Sequence, residues 1–166
     1  ENIVFCKENS PAGTGGGLKN TEKFINTDFC LIMNGDSYVE YDPVQLISYH
    51  NKLNSIMTMI IRESEDISQF GVVKINQKGK IINFIEKGSL SGRGLINVGI
   101  YLIKKSLLRK IPNKIPYSLE LDFLPSLIGH QIYAYKTQGN FIDIGTPKSY
   151  KKAKYFNWNN ESKISK

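Results

Sequence analysis

Asp36 closes the run LIMNGDSY and Asp143 sits inside FIDIGTP, and these two acids have the most chemistry to offer. An aspartate at the carboxyl end of an apolar strand presents hard oxygens where α/β sheets hold Mg2+, an ion that keeps several waters and needs only one or two protein carboxylates. Alone, Asn34-Gly35-Asp36 is ordinary turn chemistry, and a partner carboxylate would change its meaning. Asp143 is the candidate partner: flanked by Phe141, Ile142 and Ile144, it needs a cation or hydrogen bonds to offset desolvation. For Asp143, a metal and a hydrogen bond to backbone or lysine are both open at this level.

A second set is Glu86-Lys87 at the end of IINFIEK, Gly71 at the start of the neighbouring run, and Asn97 and Gly99 in the next. Lysine serves as a point charge for phosphate, Asn and Glu bind sugar hydroxyls, and glycine admits a ring close to the main chain. Each alone also reads as a solvated edge or a bulge. The third feature, SPAGTGGGLKN, places glycine at 13, 15, 16 and 17 between an apolar run and a helix. It is neither G-x-G-x-x-G nor a Walker loop, since Leu18 and Asn20 stand where those patterns need other residues. A glycine turn between strand and helix still suggests free N–H groups and a close-lying ligand such as a flat base. His50 and His130 lack zinc-ligand spacing, and no Ser-His-Asp or Cys-His set is present, so covalent catalysis has no support.

Positioning these residues requires alternating elements. IVFC (3–6) and FCLIM (29–33) read as strands joined by the glycine loop and a helix from about Leu18 to Ile25, a βαβ unit with parallel strands. Asp42, Pro43 and Gln45 mark the start of a helix through DPVQLISYHNKL. SIMTMIIRE, then GVVKI and KIINFIEK joined by an NQKG hairpin, then GLINVGIYLI, imply a mixed sheet. KKSLLRKI and SLELDFLPSLI read as helices, the second broken near Pro125, with QIYAYK and NFIDIG as closing strands and a last helix from Thr146-Pro147 to about Trp158.

The chain of 166 residues suits one domain, 1–166, with a basic tail over 155–166. Its net charge of +7 attracts anions without choosing between nucleotides, sugar phosphates and nucleic acid. Tyr150, Tyr155, Phe156 and Trp158 read as packing of the terminal helix, so no nucleic-acid partner is expected. No run is long enough for a membrane span, and Cys6 and Cys30 lie in apolar runs without redox or metal spacing, which points to a reducing, cytoplasmic setting with no membrane partner.

In this order, PAGTGGGLKN, NGDSY, FGVV, EK, GLINVGIYLI, SLELDFLP and FIDIGTP resemble the sugar-phosphate nucleotidyltransferases, most of all their D-glycero-D-manno-heptose 1-phosphate guanylyltransferase branch, from Glu8 to about Ala153. The resemblance implies a Rossmann-like three-layer α/β fold of the nucleotide-diphospho-sugar transferase type, a mixed sheet with helices on both faces. It implies an enzyme that joins a nucleoside triphosphate, GTP by family texture, to a heptose or hexose 1-phosphate, releasing pyrophosphate, for nucleotide-sugar and surface-polysaccharide synthesis. By the same resemblance Glu8, Gly13, Thr14 and Gly15 would bind nucleotide; Asp36 and Asp143 would hold Mg2+; Gly71, Glu86, Lys87, Asn97 and Glu120 would bind the sugar phosphate, Lys87 also serving catalysis. The family's G-G-x-G-T-R-L loop and following Pro-Lys do not occur in the sequence. The expectation is therefore a domain lacking its first βα segment, as a fragment or a natural truncation, with exposed apolar edges and poor stability. The alternative function is a non-catalytic module that binds a sugar phosphate or nucleotide sugar. Association into a homo-oligomer stays open.

Overall fold

The computed structural model describes residues 3–156 and 158. Its organising element is β6 (Gly94–Lys104), an eleven-residue strand buried along nearly its whole length. Such a strand needs neighbours on both edges and cover on both faces. On one edge lies β3 (Met57–Ser64), antiparallel, pairing Met57 with Ile103 and Ser64 with Gly94. The other edge is divided. β1 (Phe29–Met33) pairs antiparallel with Ile100–Lys104, and β4 (Val72–Ile75) meets Ile96 further back. β5 (Ile81–Ile85) continues outward from β4, and β7 (Ile132–Lys136) closes the far side parallel to β3. A second, two-stranded sheet joins β2 (Ser37–Val39) to β8 (Phe141–Asp143).

Helices cover both faces, giving the expected three layers. Along β3 the side chains alternate: Met57, Met59 and Ile61 enter one core with Tyr101, Ile103, Leu108 and Phe123, while Ile60 enters the other with Leu46, Ile96, Val98 and Leu102. The second core lies under α2 (Pro43–Lys52); the first lies under α1 (Gly13–Thr21), α3 (Lys105–Leu108), a π-helical turn at Leu119–Phe123 and α4 (Leu124–Ser126). Local chemistry fixes the helix starts. Asp42 accepts hydrogen bonds from the Val44 and Gln45 N–H groups, and Thr146 with Ser149 forms a reciprocal cap on α5 (Pro147–Ala153).

Four expectations are corrected. IVFC forms no strand: residues 3–6 are irregular and Phe5 is 90% exposed, because the free edge of β1 is not used to pair them. FCLIM pairs antiparallel with β6, so the sheet is mostly antiparallel and no β-α-β unit joins residues 3–6 to β1. Strands buried on both faces read as continuous apolar runs in either direction, so the sequence does not encode their polarity in its periodicity. The helix read from Leu18 begins instead at Gly13, with its glycines inside the first turns, and a 3-10 turn follows at Glu22–Phe24. The last helix ends at Ala153, five residues before Trp158, whose indole N–H donates to the Ala153 carbonyl at 3.2 Å. Most of the basic tail lies outside the described residues. The apolar edge expected from the sequence is present at Ile3, Val4, Leu31 and Met33, all exposed, and both cysteines are free thiols.

His50, buried on α2, has one ring nitrogen 2.8 Å from the Thr58 hydroxyl, while its Nε2 has no partner. Burial, with a smaller push from Lys104, lowers its pKa below the ordinary histidine value. The unfolded chain therefore binds the proton more readily than the folded one, so stability is complete above about pH 6.5 and falls as pH drops beneath it. Urea midpoints at pH 7.5 and 5.5 are expected to differ more for the wild type than for His50→Gln; equal differences would remove His50 as the source of acid sensitivity.

Candidate functional site

The hydrogen-bonded register of β2 and β8 decides where the two aspartates go. Ser37 lies opposite Asp143, and the Ile144 N–H donates to the Asp36 carbonyl at 2.8 Å, so the acids emerge side by side at one end of the small sheet. Gly145 lies between them. A Cβ built there would stand 3.0 Å from Asp36 Oδ2 and 3.2 Å from Asp143 Oδ1, so one point in space is within reach of both carboxylates. The Ser37 hydroxyl (3.1 Å) and the Gly145 N–H (3.0 Å) each donate to Asp143, leaving part of its oxygen capacity unused. Among the described residues no group of three or more His, Cys, Asp or Glu side chains could hold a metal. A two-carboxylate set with hard oxygens fits Mg2+ that takes its remaining ligands from water and substrate phosphates.

These acids border a cavity of about 830 Å3, a size that suits a nucleotide or a nucleotide sugar. Gly71, Glu86, Lys87, Asn97, Glu120 and Thr14 line the same cavity. Gly71 faces the Phe84 ring, which would lie 2.7 Å from an added Cβ, so a side chain here would displace that wall. Glu86 carries a buried oxygen, Oε2, with no hydrogen-bond partner, which a bound hydroxyl would satisfy. Asn97 is held rigidly: its Oδ1 accepts from the Gly99 N–H at 2.9 Å and its Nδ2 donates to the Tyr101 hydroxyl at 2.6 Å.

Glu120 connects this wall to α1. The Thr14 hydroxyl donates to Glu120 Oε2 at 2.8 Å and accepts from the Leu119 N–H at 2.8 Å, and the Tyr101 hydroxyl reaches Glu120 Oε1 at 3.4 Å. Burial, together with the Glu120 carboxylate, pushes the Tyr101 phenol well above the usual tyrosine range, so it stays protonated as a donor. Tyr101, Asn34, Ser37 and Ser118 also belong to this network or lining and were not singled out from the sequence. The signal for Tyr101 was available: a tyrosine within the apolar run GIYLI must give its hydroxyl a partner. Thr14→Val is expected to strand the Leu119 N–H and free Glu120, costing about 1–2 kcal/mol of stability in a denaturation experiment; no change would show that the bridge is dispensable.

The glycine cluster is engaged within the chain itself. The Gly15 and Gly16 N–H groups both donate to the Tyr117 carbonyl, at 2.9 and 3.1 Å, and the Tyr117 N–H donates to the Ala12 carbonyl. At Gly13 and Gly15 the close approach is made by the chain's own Tyr117, at Gly16 by Ala12 and at Gly17 by Glu8. Glu8 is on the other side of α1 from Thr14, its carboxylate accepting from the Ala12 N–H at 3.0 Å and lying against Gly17. Of the residues expected at the nucleotide, the structure brings Thr14 to the cavity and leaves Glu8, Gly13 and Gly15 outside its lining.

Residues 1–160 match the sequence pattern of the nucleotidyl transferase family. The chain belongs to that family. As a nucleotidyl transferase it is 31% identical to a mannose-1-phosphate guanyltransferase from Aspergillus fumigatus, over 89% of this chain and 42% of that enzyme. To the mannose-1-phosphate guanylyltransferase of Mycobacterium tuberculosis it is 28% identical, again over 89% of this chain and 42% of the relative. It thus spans about two fifths of the length of the curated relatives it matches. Among solved structures, HddC from Yersinia pseudotuberculosis superposes with a TM-score of 0.78 at 35% identity, over 90% of this chain and 65% of HddC, and HddC has also been solved with GMP-PN. The fold is the mixed α/β arrangement shared with HddC. No helix among the described residues is long and apolar enough to cross a membrane.

Proposed function

We propose that this nucleotidyl transferase joins the nucleoside monophosphate part of GTP to a hexose or heptose 1-phosphate and releases pyrophosphate, in the cytoplasm. The single observation that carries the reading is the convergence of Asp36 and Asp143 on one point beside a cavity that also holds Glu86, Lys87, Asn97 and Glu120. The guanylyl names of the relatives support the base; mannose among them and the structural likeness to HddC leave hexose and heptose as the two sugars to test.

In the reaction, a phosphate oxygen of the sugar 1-phosphate forms a bond to the α-phosphorus of the triphosphate. The bond from that phosphorus to the pyrophosphate oxygen breaks, and its electron pair leaves with pyrophosphate. The nucleophile is already an anion, so no side-chain base is needed; the difficulty lies in bringing two polyanions together in line. Bound Mg2+ supplies charge neutralisation and a template for the phosphates, and Asp36 and Asp143 are the residues that would hold it. Lys87 brings a positive charge to the sugar phosphate. Glu86 and Glu120 accept hydroxyl protons in hydrogen bonds, with Tyr101 and Thr14 fixing the second of these carboxylates.

One observation favours the second reading, a sugar-phosphate binding module. The sugar-side residues converge, whereas the Gly15 and Gly16 N–H groups expected for the nucleotide are already bonded to Tyr117. Pyrophosphate release from GTP with mannose 1-phosphate or a heptose 1-phosphate, measured beside calorimetric binding, separates the two. Turnover supports the enzyme; sugar-phosphate binding without turnover in the complete protein supports the module; neither result removes both.

A further inference from the structure

A second cleft, of about 770 Å3, opens on the other side of α1 and shares no lining residue with the cavity of Asp36 and Asp143. Its charge is lopsided. Lys19 and Lys23 reach it from α1 and the following 3-10 turn, Lys105 and Arg109 from α3 and its end, and Lys7 and Lys114 from the two loops that close it. Among the described residues that line the cleft, Glu8 and Glu22 are the acids that oppose these six cations, and Glu8 is already committed to the Ala12 N–H.

Glu22 acts as the organiser. It takes the Lys19 ammonium at 2.7 Å and stands 3.7 Å from Arg109 Nε. Lys19 is further fixed by the Leu108 carbonyl at 3.3 Å, which ties α1 to α3. The Lys19 hydrogen bond, with the fields of Arg109 and Lys105, holds the Glu22 carboxyl below its ordinary range, so Glu22 is charged at neutral pH. One carboxylate does not balance the surrounding cations: among the described residues, Lys7, Lys23, Lys105 and Lys114 have no ion-pair partner. Like charges lining a concave wall repel one another, and a concave wall focuses their field on whatever enters.

We infer that this cleft is a binding site for a small phosphorylated anion, distinct from the cavity at the two aspartates. Six cations lining one recess, Lys19 held in place among them, suit a ligand carrying two or more negative charges at short spacing, which a phosphate chain provides and a single carboxylate does not. The recess has the volume of a small molecule. The inference does not depend on the proposed transferase reaction.

The test is calorimetry on the full chain with inorganic pyrophosphate in low salt and EDTA, so that no divalent cation bridges the probe to the aspartates. The double variant Lys105→Ala/Arg109→Ala is expected to weaken pyrophosphate binding by about tenfold or more. Glu22→Gln, which removes the competing carboxylate, is expected to tighten it several-fold, a gain that a merely misfolded variant does not produce. A GDP arm distinguishes the sources: affinity equal to pyrophosphate assigns the site to free polyphosphate, and tighter binding assigns it to a nucleotide. Pyrophosphate affinity unchanged in both variants would overturn the inference, as would displacement of pyrophosphate from the cleft by a short single-stranded oligonucleotide at lower concentration.

Discussion

Asp143→Asn is expected to reduce Mg2+-dependent pyrophosphate release about 10^3-fold in the complete protein while leaving its folding intact. The substitution preserves size and an oxygen acceptor, so the hydrogen bond from the Gly145 N–H can persist and the β2–β8 register is not disturbed. What is lost is one of the two negative charges that meet beside Gly145. Asp36→Asn is expected to behave alike. If both carboxylates hold one cation, either single change should cost nearly as much as the pair, because residues acting as a unit are not additive. Raising Mg2+ should recover part of the rate in each single variant, with the melting midpoint of both close to wild type. Full activity in either variant would end the assignment of that residue, and unequal, additive losses would mean that the two acids serve separate tasks.

That pair was legible in the sequence for a reason that can be named. Asp36 follows Gly35 at the end of an apolar run, where an acid is a turn residue or a ligand, Asp143 lies inside another apolar run, where it needs a cation or hydrogen bonds, and the second acid gave the first its meaning. The starts of α2 and α5 were legible too, because the caps at Asp42 and Thr146 depend on residues two or three positions away and on nothing distant. Strand direction was not. FCLIM is apolar throughout whether its neighbour runs with it or against it, and the decision belongs to Ile100–Lys104, far along the chain. IVFC has strand composition, yet composition cannot supply an edge to pair with. The link from Tyr101 to Glu120 was not legible, because Glu120 is brought to it by a π-helical turn that no local pattern announces.

The glycine cluster is the most instructive case, since its spacing correctly signalled a close approach and could not say of what. Gly13 has φ +79°, and a Cβ there would stand 2.6 Å from the Tyr117 carbonyl oxygen and 3.0 Å from its carbonyl carbon. Gly13→Ala therefore meets two costs together, a left-handed backbone carrying a side chain and a contact with backbone that cannot rotate away. Relief requires moving the Tyr117 carbonyl, which would weaken its hydrogen bonds from the Gly15 and Gly16 N–H groups and pull Leu119 from Thr14. The expected loss is about 3 kcal/mol of unfolding free energy, read from urea denaturation. Gly35→Ala is the control: nothing lies within 4 Å of its added Cβ and its φ is not left-handed, so it should be neutral or slightly stabilising, by up to about 1 kcal/mol. The two glycines look alike in the sequence, and equal stabilities for the two variants would show that the packing of α1 against residues 115–118 does not carry the constraint.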